Sequence, residues 1–160
     1  MLTAARLREV LVYDPTSGVF TWRVARGRAP AGAVAGQRSR YGYTAIRVDR
    51  VLYAAHRLAW LYVHSVWPPD EIDHRDGVRN NNRLNNLRAA TRGENMQNVV
   101  SPRDGMQGTF FRADRGRWKA SIKINQRATH LGFFDTEVEA RHAYLRAKAE
   151  LHTFSPVPRV

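Results

Sequence analysis

The sequence predicts an α+β fold, and three observations predict it. Arg117–Ile124 alternates strictly, with Trp118, Ala120, Ile122 and Ile124 on one face and Arg117, Lys119, Ser121 and Lys123 on the other, the period of a half-buried strand. Thr136-x-x-Glu139 is a capping box, and the stripe that follows it (Ala140, Ala143, Tyr144, Ala147, Leu151) has helical spacing. In the first two thirds, residues 42–48 and 51–55 read as a hairpin and residues 71–74 as a short strand that residues 87–90 return along.

Taken in order, residues 3–12 read as a short helix stopped by Asp14-Pro15. Residues 18–23 read as a strand, and residues 26–40 as a loop dominated by Gly, Ala, Pro and Arg. Residues 42–48 and 51–55 form a hairpin around Asp49-Arg50, a pair without the usual turn glycine. Residues 56–65 read as a helix ended by Trp67-Pro68-Pro69. Residues 71–74 make a short strand that enters a loop at Asp76-Gly77, and residues 87–90 return. Thr91-x-x-Glu94 opens a short helix to Asn98. Residues 109–112 and 129–133 flank the alternating strand, so three strands and one helix share one buried face and leave the other exposed and cationic. Trp22, Trp60 and Trp67 are expected in the core, and His64, His142 and His152 at the surface or in packing.

The 160 residues carry 26 Lys and Arg against 14 Asp and Glu, net +12. That excess points to a polyanionic partner. It is uneven: residues 1–55 carry net +6, residues 56–98 net +1 and residues 99–160 net +5. A protein that only coats phosphate has no need of a neutral centre, whereas an active site with its own carboxylates does. With no cysteine, disulfides, thiolate chemistry and Cys-ligated zinc are excluded. No apolar run approaches the roughly 20 residues of a membrane span. Charge at Arg6 falls where a signal peptide needs an apolar stretch, so a cytoplasmic protein is expected.

The neutral centre holds Ile72-Asp73-His74-Arg75-Asp76-Gly77, then Asn80, Asn81, Asn82, Asn85 and Asn86, then Glu94-Asn95-Met96-Gln97-Asn98. Hydrolysis of a phosphodiester needs a base that is neutral near pH 7, which suits His74. It also needs a hard cation on the phosphate, held by oxygen ligands such as Asp73 and Asn95. Taken singly, an Asp-His pair is often a turn and an Asn cluster often marks Asx-turns. Their order together carries the nuclease reading.

With Ala55-His56-Arg57-Leu58-Ala59-Trp60 ahead of it and Asn82-Arg83-Leu84-Asn85-Asn86-Leu87-Arg88 within it, this text resembles the HNH nucleases, in the His-Asn-Asn branch found in phage and intron-encoded homing endonucleases. The resemblance implies a ββα-metal (His-Me finger) core. It implies His74 as general base, Asp73 and Asn95 as ligands of one divalent ion (Mg²⁺, or Mn²⁺) and Asn86 as the residue that holds the loop; Asn95 is thus catalytic and a metal ligand. The third motif position is Asn rather than His, which favours single-metal nicking. His56 is read as structural.

Residues 107–152 are similar to the plant ethylene-response-factor (Apetala-type) DNA-binding domain, through Gly108-Thr109-Phe110, Gly116-Arg117-Trp118-Lys119 and His130-Leu131-Gly132-Phe133-Phe134-Asp135-Thr136. The resemblance implies a three-stranded antiparallel sheet packed on one helix, with the sheet in the major groove of double-stranded DNA. Arg112, Arg117, Lys119, Ser121, Lys123 and Thr129 are then the DNA-facing residues, and Arg115 and Arg127 reach phosphates from the turns. Phe110 stands where the plant domains carry a reading Arg, and His130 where they carry Trp, so base specificity does not transfer.

The expected organisation is a basic β-rich segment (1–55), a catalytic core (56–98), a linker (99–106) and a DNA-binding module (107–155). The expected activity is metal-dependent cleavage of double-stranded DNA, with no membrane and no obligate protein partner. A non-catalytic DNA-binding regulator with a degenerate HNH core is the alternative.

Overall fold

The computed structural model describes residues 1–98, 108–124, 127–152 and 154. The chain forms two compact units, Met1–Ala90 and Thr91–Val160. The expected linker, 99–106, lies outside the described residues.

The first unit opens with α1 (Ala4–Val10), capped by the Thr3 hydroxyl on the Arg6 amide. The helix ends two residues earlier than its apolar pattern suggests, because Leu11 and Val12 already belong to β1 (Leu11–Asp14). β1 pairs antiparallel with β2 (Val19–Trp22). The next sheet contains β3 (Gln37–Arg38), β4 (Thr44–Val48) and β5 (Val51–Ala54) in that order. β3 falls inside the segment expected to be loop. The β4–β5 turn places both Asp49 and Arg50 at positive φ, 46° and 69°, the geometry of a two-residue hairpin turn that glycine usually fills. Two Arg6 guanidinium nitrogens donate to the Asp49 carboxylate at 3.0 and 3.1 Å and hold the turn.

α2 (Ala55–His64) buries Ala55, Leu58, Ala59 and Leu61. They meet Leu7, Val10, Leu11, Phe20, Trp22, Ile46 and Val48 in one core that also takes Ile72 and Leu87. Trp60 and Trp67 pack at its edge, and Trp67 donates its indole N–H to the Leu2 carbonyl at 3.1 Å. The N-terminal segment and the Asp-His strand therefore share one hydrophobic core. β6 (Glu71–His74) and β7 (Leu87–Ala90) close the unit as an antiparallel pair, after a 3-10 turn at Leu84–Asn86.

The second unit begins with α3 (Arg92–Gln97), where Thr91 and Glu94 form both bonds of the capping box. β8 (Thr109–Arg112), β9 (Arg117–Ile124) and β10 (Arg127–Phe134) form an antiparallel sheet with β9 in the middle. α4 (Glu137–Leu151) starts at a second capping box, Thr136 with Glu139, and packs across all three strands. Of its apolar stripe, Ala140, Tyr144 and Ala147 are buried; Leu151, in the last turn, is exposed. Gly108 has φ +78°, and a Cβ there would lie 2.2 Å from the Tyr144 ring, so only glycine fits under the helix.

Candidate active site and nucleic-acid face

Alternation along β6 sends Ile72 and His74 to one side of the strand and Asp73 to the other. All three are buried, Asp73 at 4% and His74 at 5% exposure. A buried ionisable group needs a partner, and each has one. Asp73 lies opposite Arg88 in the ladder, and the guanidinium grips Oδ2 through Nη2 at 2.6 Å and Nε at 2.8 Å. His74 Nε2 lies 3.3 Å from Asn82 Oδ1. With Oδ1 as the acceptor, this contact is made by the Nε2–H tautomer, which puts the basic lone pair on Nδ1. Burial pushes the His74 ring below its ordinary value against the pull of Asn82, Asp76 and Asp73, and the Arg79 charge adds to the depression. The ring is neutral at pH 7.

The asparagine cluster ties the intervening loop. The Asn86 amide donates to Asp76 Oδ1 at 2.9 Å and to the Asn81 carbonyl at 2.8 Å, while its Oδ1 accepts the Asp76 N–H at 3.0 Å. The Arg75 N–H donates to the Asn86 carbonyl at 2.9 Å. Asn81 donates to Asp76 Oδ2 at 2.5 Å, and Asp76 Oδ1 accepts the Val78 N–H at 2.8 Å. Burial raises the Asp76 pKa, but these bonds and His74 outweigh it and hold the carboxyl below its usual range.

Asn82 was part of the cluster without a role of its own, and the structure gives it one. Its side chain meets His74, and its backbone is fixed by the first hairpin. The Tyr13 hydroxyl donates to the Asn82 carbonyl at 2.7 Å, and the Leu84 N–H donates to the Pro15 carbonyl at 3.0 Å. Gly18, at φ +76°, closes the approach: a Cβ there would lie 2.4 Å from the Arg83 nitrogen and 2.5 Å from the Asn82 carbonyl carbon. No sequence motif announces this contact, because its partners are 69 residues apart.

His56 stands edge-on to His74, ring centroids 5.0 Å apart, with Tyr43 5.3 Å from His56 and 6.0 Å from His74. The Arg79 guanidinium sits 5.3 Å over the Tyr43 ring and donates to the Tyr41 carbonyl at 2.9 Å. His56 Nδ1 is buried with no hydrogen-bond partner among the described residues. Burial, with the nearby His74 and Arg57, lowers the His56 pKa to about 3.

Asn95, the other residue of the expected catalytic set, lies on α3 in the second unit. Among the described residues there is no cluster of three or more His, Cys, Asp or Glu able to hold a metal ion. The expected donor set is smaller, one carboxylate and one amide. These are hard oxygens suited to an ion that keeps several waters, and the buried Asp73 carboxylate next to His74 fits such an ion in chemistry, with Arg88 engaging Oδ2.

In the second unit the strand register sorts the expected DNA-facing residues. Arg117 pairs with Arg112, Lys119 with Phe110 and Phe133, Ser121 with His130, and Lys123 with Ala128, so these share the face that looks away from Ile122, Tyr144 and Ala147. Thr129 pairs with Ile122 and Arg127 with Ile124, which puts both on the rows of the helix side; a shift between His130 and Gly132 sets this register. Phe110, His130 and Phe133 join the cationic face, a consequence of pairing that single-strand alternation does not reveal. Arg112 donates to Asp114 at 2.8 and 2.9 Å, and Arg117 is paired with Asp135 at 2.8 Å. Arg115 lies 3.9 Å from Asp114.

None of the described helices is long and apolar enough to cross a membrane. No curated protein and no solved structure matches the chain. A family model described as HNH endonuclease matches residues 53–97, which include α2, the β6–β7 hairpin with its asparagine loop, and α3. On that match, and on the buried Asp-His strand it contains, the chain carries an HNH endonuclease domain at residues 53–97.

Proposed function

We propose that the protein is a metal-dependent endonuclease that hydrolyses a phosphodiester of double-stranded DNA, one strand per active site, at a position chosen by the sheet of the second unit. The observation that carries the reading is the neutral, buried His74, whose Nε2–H is held by Asn82 on a strand that also bears the buried Asp73. His74 Nδ1 takes a proton from a water molecule as its oxygen attacks phosphorus. The P–O3′ bond breaks and the 3′-oxygen takes a proton from solvent, giving 5′-phosphate and 3′-hydroxyl ends. Asn86 holds the loop and so the orientation of the base. Asp73 and, on the order of the sequence motifs, Asn95 are the ligands of a divalent ion, most simply Mg²⁺. When bound, that ion supplies Lewis acidity at the phosphate. The resemblance to phage and intron-encoded homing enzymes is consistent with nicking.

One observation favours a second reading. The Arg88 guanidinium already neutralises Asp73, as expected of a non-catalytic DNA-binding regulator built on a degenerate nuclease core. Incubating supercoiled plasmid with the wild-type protein and with His74→Ala, in Mg²⁺ and in EDTA, separates the two. Nicked circles from the wild type in Mg²⁺ alone support the nuclease. Intact plasmid in every lane, with DNA bound, supports the regulator.

A further inference from the structure

We infer that the row Phe110–Lys119–Phe133 reads thymine methyl groups in the major groove of duplex DNA, an inference that rests on the proposal that this sheet binds DNA. The three residues lie directly across β8, β9 and β10, on the face opposite the buried Ile122 and Tyr144. Phe110 is 42% exposed, a large apolar ring on a face that also carries Arg112, Arg117, Lys119 and Lys123. The Lys119 ammonium sits 5.5 Å over the Phe110 ring, and the Arg115 guanidinium 4.7 Å over the Phe133 ring, with the His130 ring 4.9 Å from Phe133.

Two features decide what such a row can recognise. The guanidiniums in the neighbouring row, Arg112 and Arg117, are tied to Asp114 and Asp135. Each fork that would grip guanine O6 and N7 already holds a carboxylate that DNA would have to displace, and the rings offer no donor of their own. Each ring also carries a cation on one face. A single strand stacks its bases on open aromatic faces, whereas a capped ring presents its rim. Thymine is the base that carries an apolar group, the C5-methyl, into the major groove. Lys119 and Arg115 then sit close to the rings as counter-charges for the flanking phosphates, and the net charge of the chain draws the duplex in.

The test is a pair of alternating duplex polymers that differ only in that methyl, poly(dA-dT) and poly(dA-dU), titrated against the full-length protein in EDTA. The methyl is worth about fourfold in affinity for each contact, the transfer of one buried carbon, so the wild type is expected to bind the thymine polymer roughly 15-fold more tightly through two rings. The double variant Phe110→Ala/Phe133→Ala is expected to bind both polymers equally. Equal affinity of the wild type for the two polymers overturns the inference without any variant having to fold. Tighter binding to single-stranded poly(dT) than to either duplex overturns it in favour of a stacking platform. Binding to no polymer by a protein that still nicks plasmid removes the DNA-binding reading of the sheet but not the nuclease. Failure to nick by a protein that discriminates the polymers removes the nuclease and leaves this inference standing.

Discussion

Replacing Asn82 by Ala removes the acceptor of the His74 Nε2–H and nothing that is expected to touch DNA, since Asn82 is 3% exposed. Losing the hydrogen bond of a buried donor costs about 1–3 kcal/mol. The ring recovers that energy by rotating or by moving its proton to Nδ1, and either response takes the basic nitrogen away from the water. At about 1.4 kcal/mol per factor of ten, kcat on supercoiled plasmid is expected to fall roughly 10- to 100-fold. KM and the affinity for uncut duplex should stay within about threefold, because phosphate contacts elsewhere set them. Asn82→Asp makes the opposite electrostatic change. A carboxylate at the same place favours the imidazolium and raises the His74 pKa from its depressed position, so the acid limb of the kcat–pH profile is expected to move to higher pH. A merely structural role for Asn82 would lower stability without moving that limb. Unchanged kcat in Asn82→Ala, with the acid limb of Asn82→Asp in its wild-type place, would refute the assignment of Nδ1 as the base.

His74→Ala is expected to cost about 10²–10⁴-fold in cleavage while duplex affinity stays within about threefold, checked by nicking and anisotropy on one preparation. Asp73→Asn should raise the Mg²⁺ concentration at half-maximal rate and lower the rate, and because it leaves the Arg88 guanidinium without its carboxylate it should also lower the melting temperature. Replacing Arg117, Lys119 and Lys123 by Ala should flatten the plot of log affinity against log salt by up to roughly 0.9 per lost phosphate contact; Arg117, paired with Asp135, is expected to contribute least, and Glu137→Ala should leave the slope alone. His56, with a folded pKa of about 3 against an ordinary 6.5, makes the unfolded chain take up a proton that the folded chain refuses between those values. Stability therefore falls as pH drops from about 6.5 towards 3, and His56→Phe is expected to flatten that part of the melting-temperature profile, measured by calorimetry.

Elements set by local chemistry were legible in the sequence. The capping boxes at Thr91 and Thr136, the strands at Glu71–His74 and Arg117–Ile124, and the hairpin at Asp49-Arg50 need only neighbours a few residues away. Elements set by tertiary pairing were not. Leu11 and Val12 continue the apolar pattern of α1 yet become strand because Trp22 and Thr21 pair with them. Gln37 and Arg38 carry no strand signal and form β3 against Ala45 and Thr44. The same division runs through the site. The Asp-His pair and the loop asparagines could be picked out by residue type, but which asparagine meets the base depends on where Tyr13, Pro15 and Gly18 put the backbone of Asn82.

On the proposed function, the predominance of amides over carboxylates in the loop suits the charge of the substrate. A phosphodiester brought beside His74 meets whatever field the loop provides, and each uncompensated carboxylate there would repel it. The two carboxylates that the site contains are both answered within the fold, Asp73 by Arg88 and Asp76 by the amides of Asn81, Asn86 and Val78. Asn81, Asn82 and Asn86 supply acceptors and donors inside the loop without adding negative charge. Arg79, an exposed cation near His74, would on the same proposal serve both ends of the chemistry: its field attracts phosphate, and its charge helps keep the His74 ring neutral. On the proposed function, the near-neutral stretch between two basic flanks lets a base work next to a polyanion, with long-range attraction left to the residues on either side.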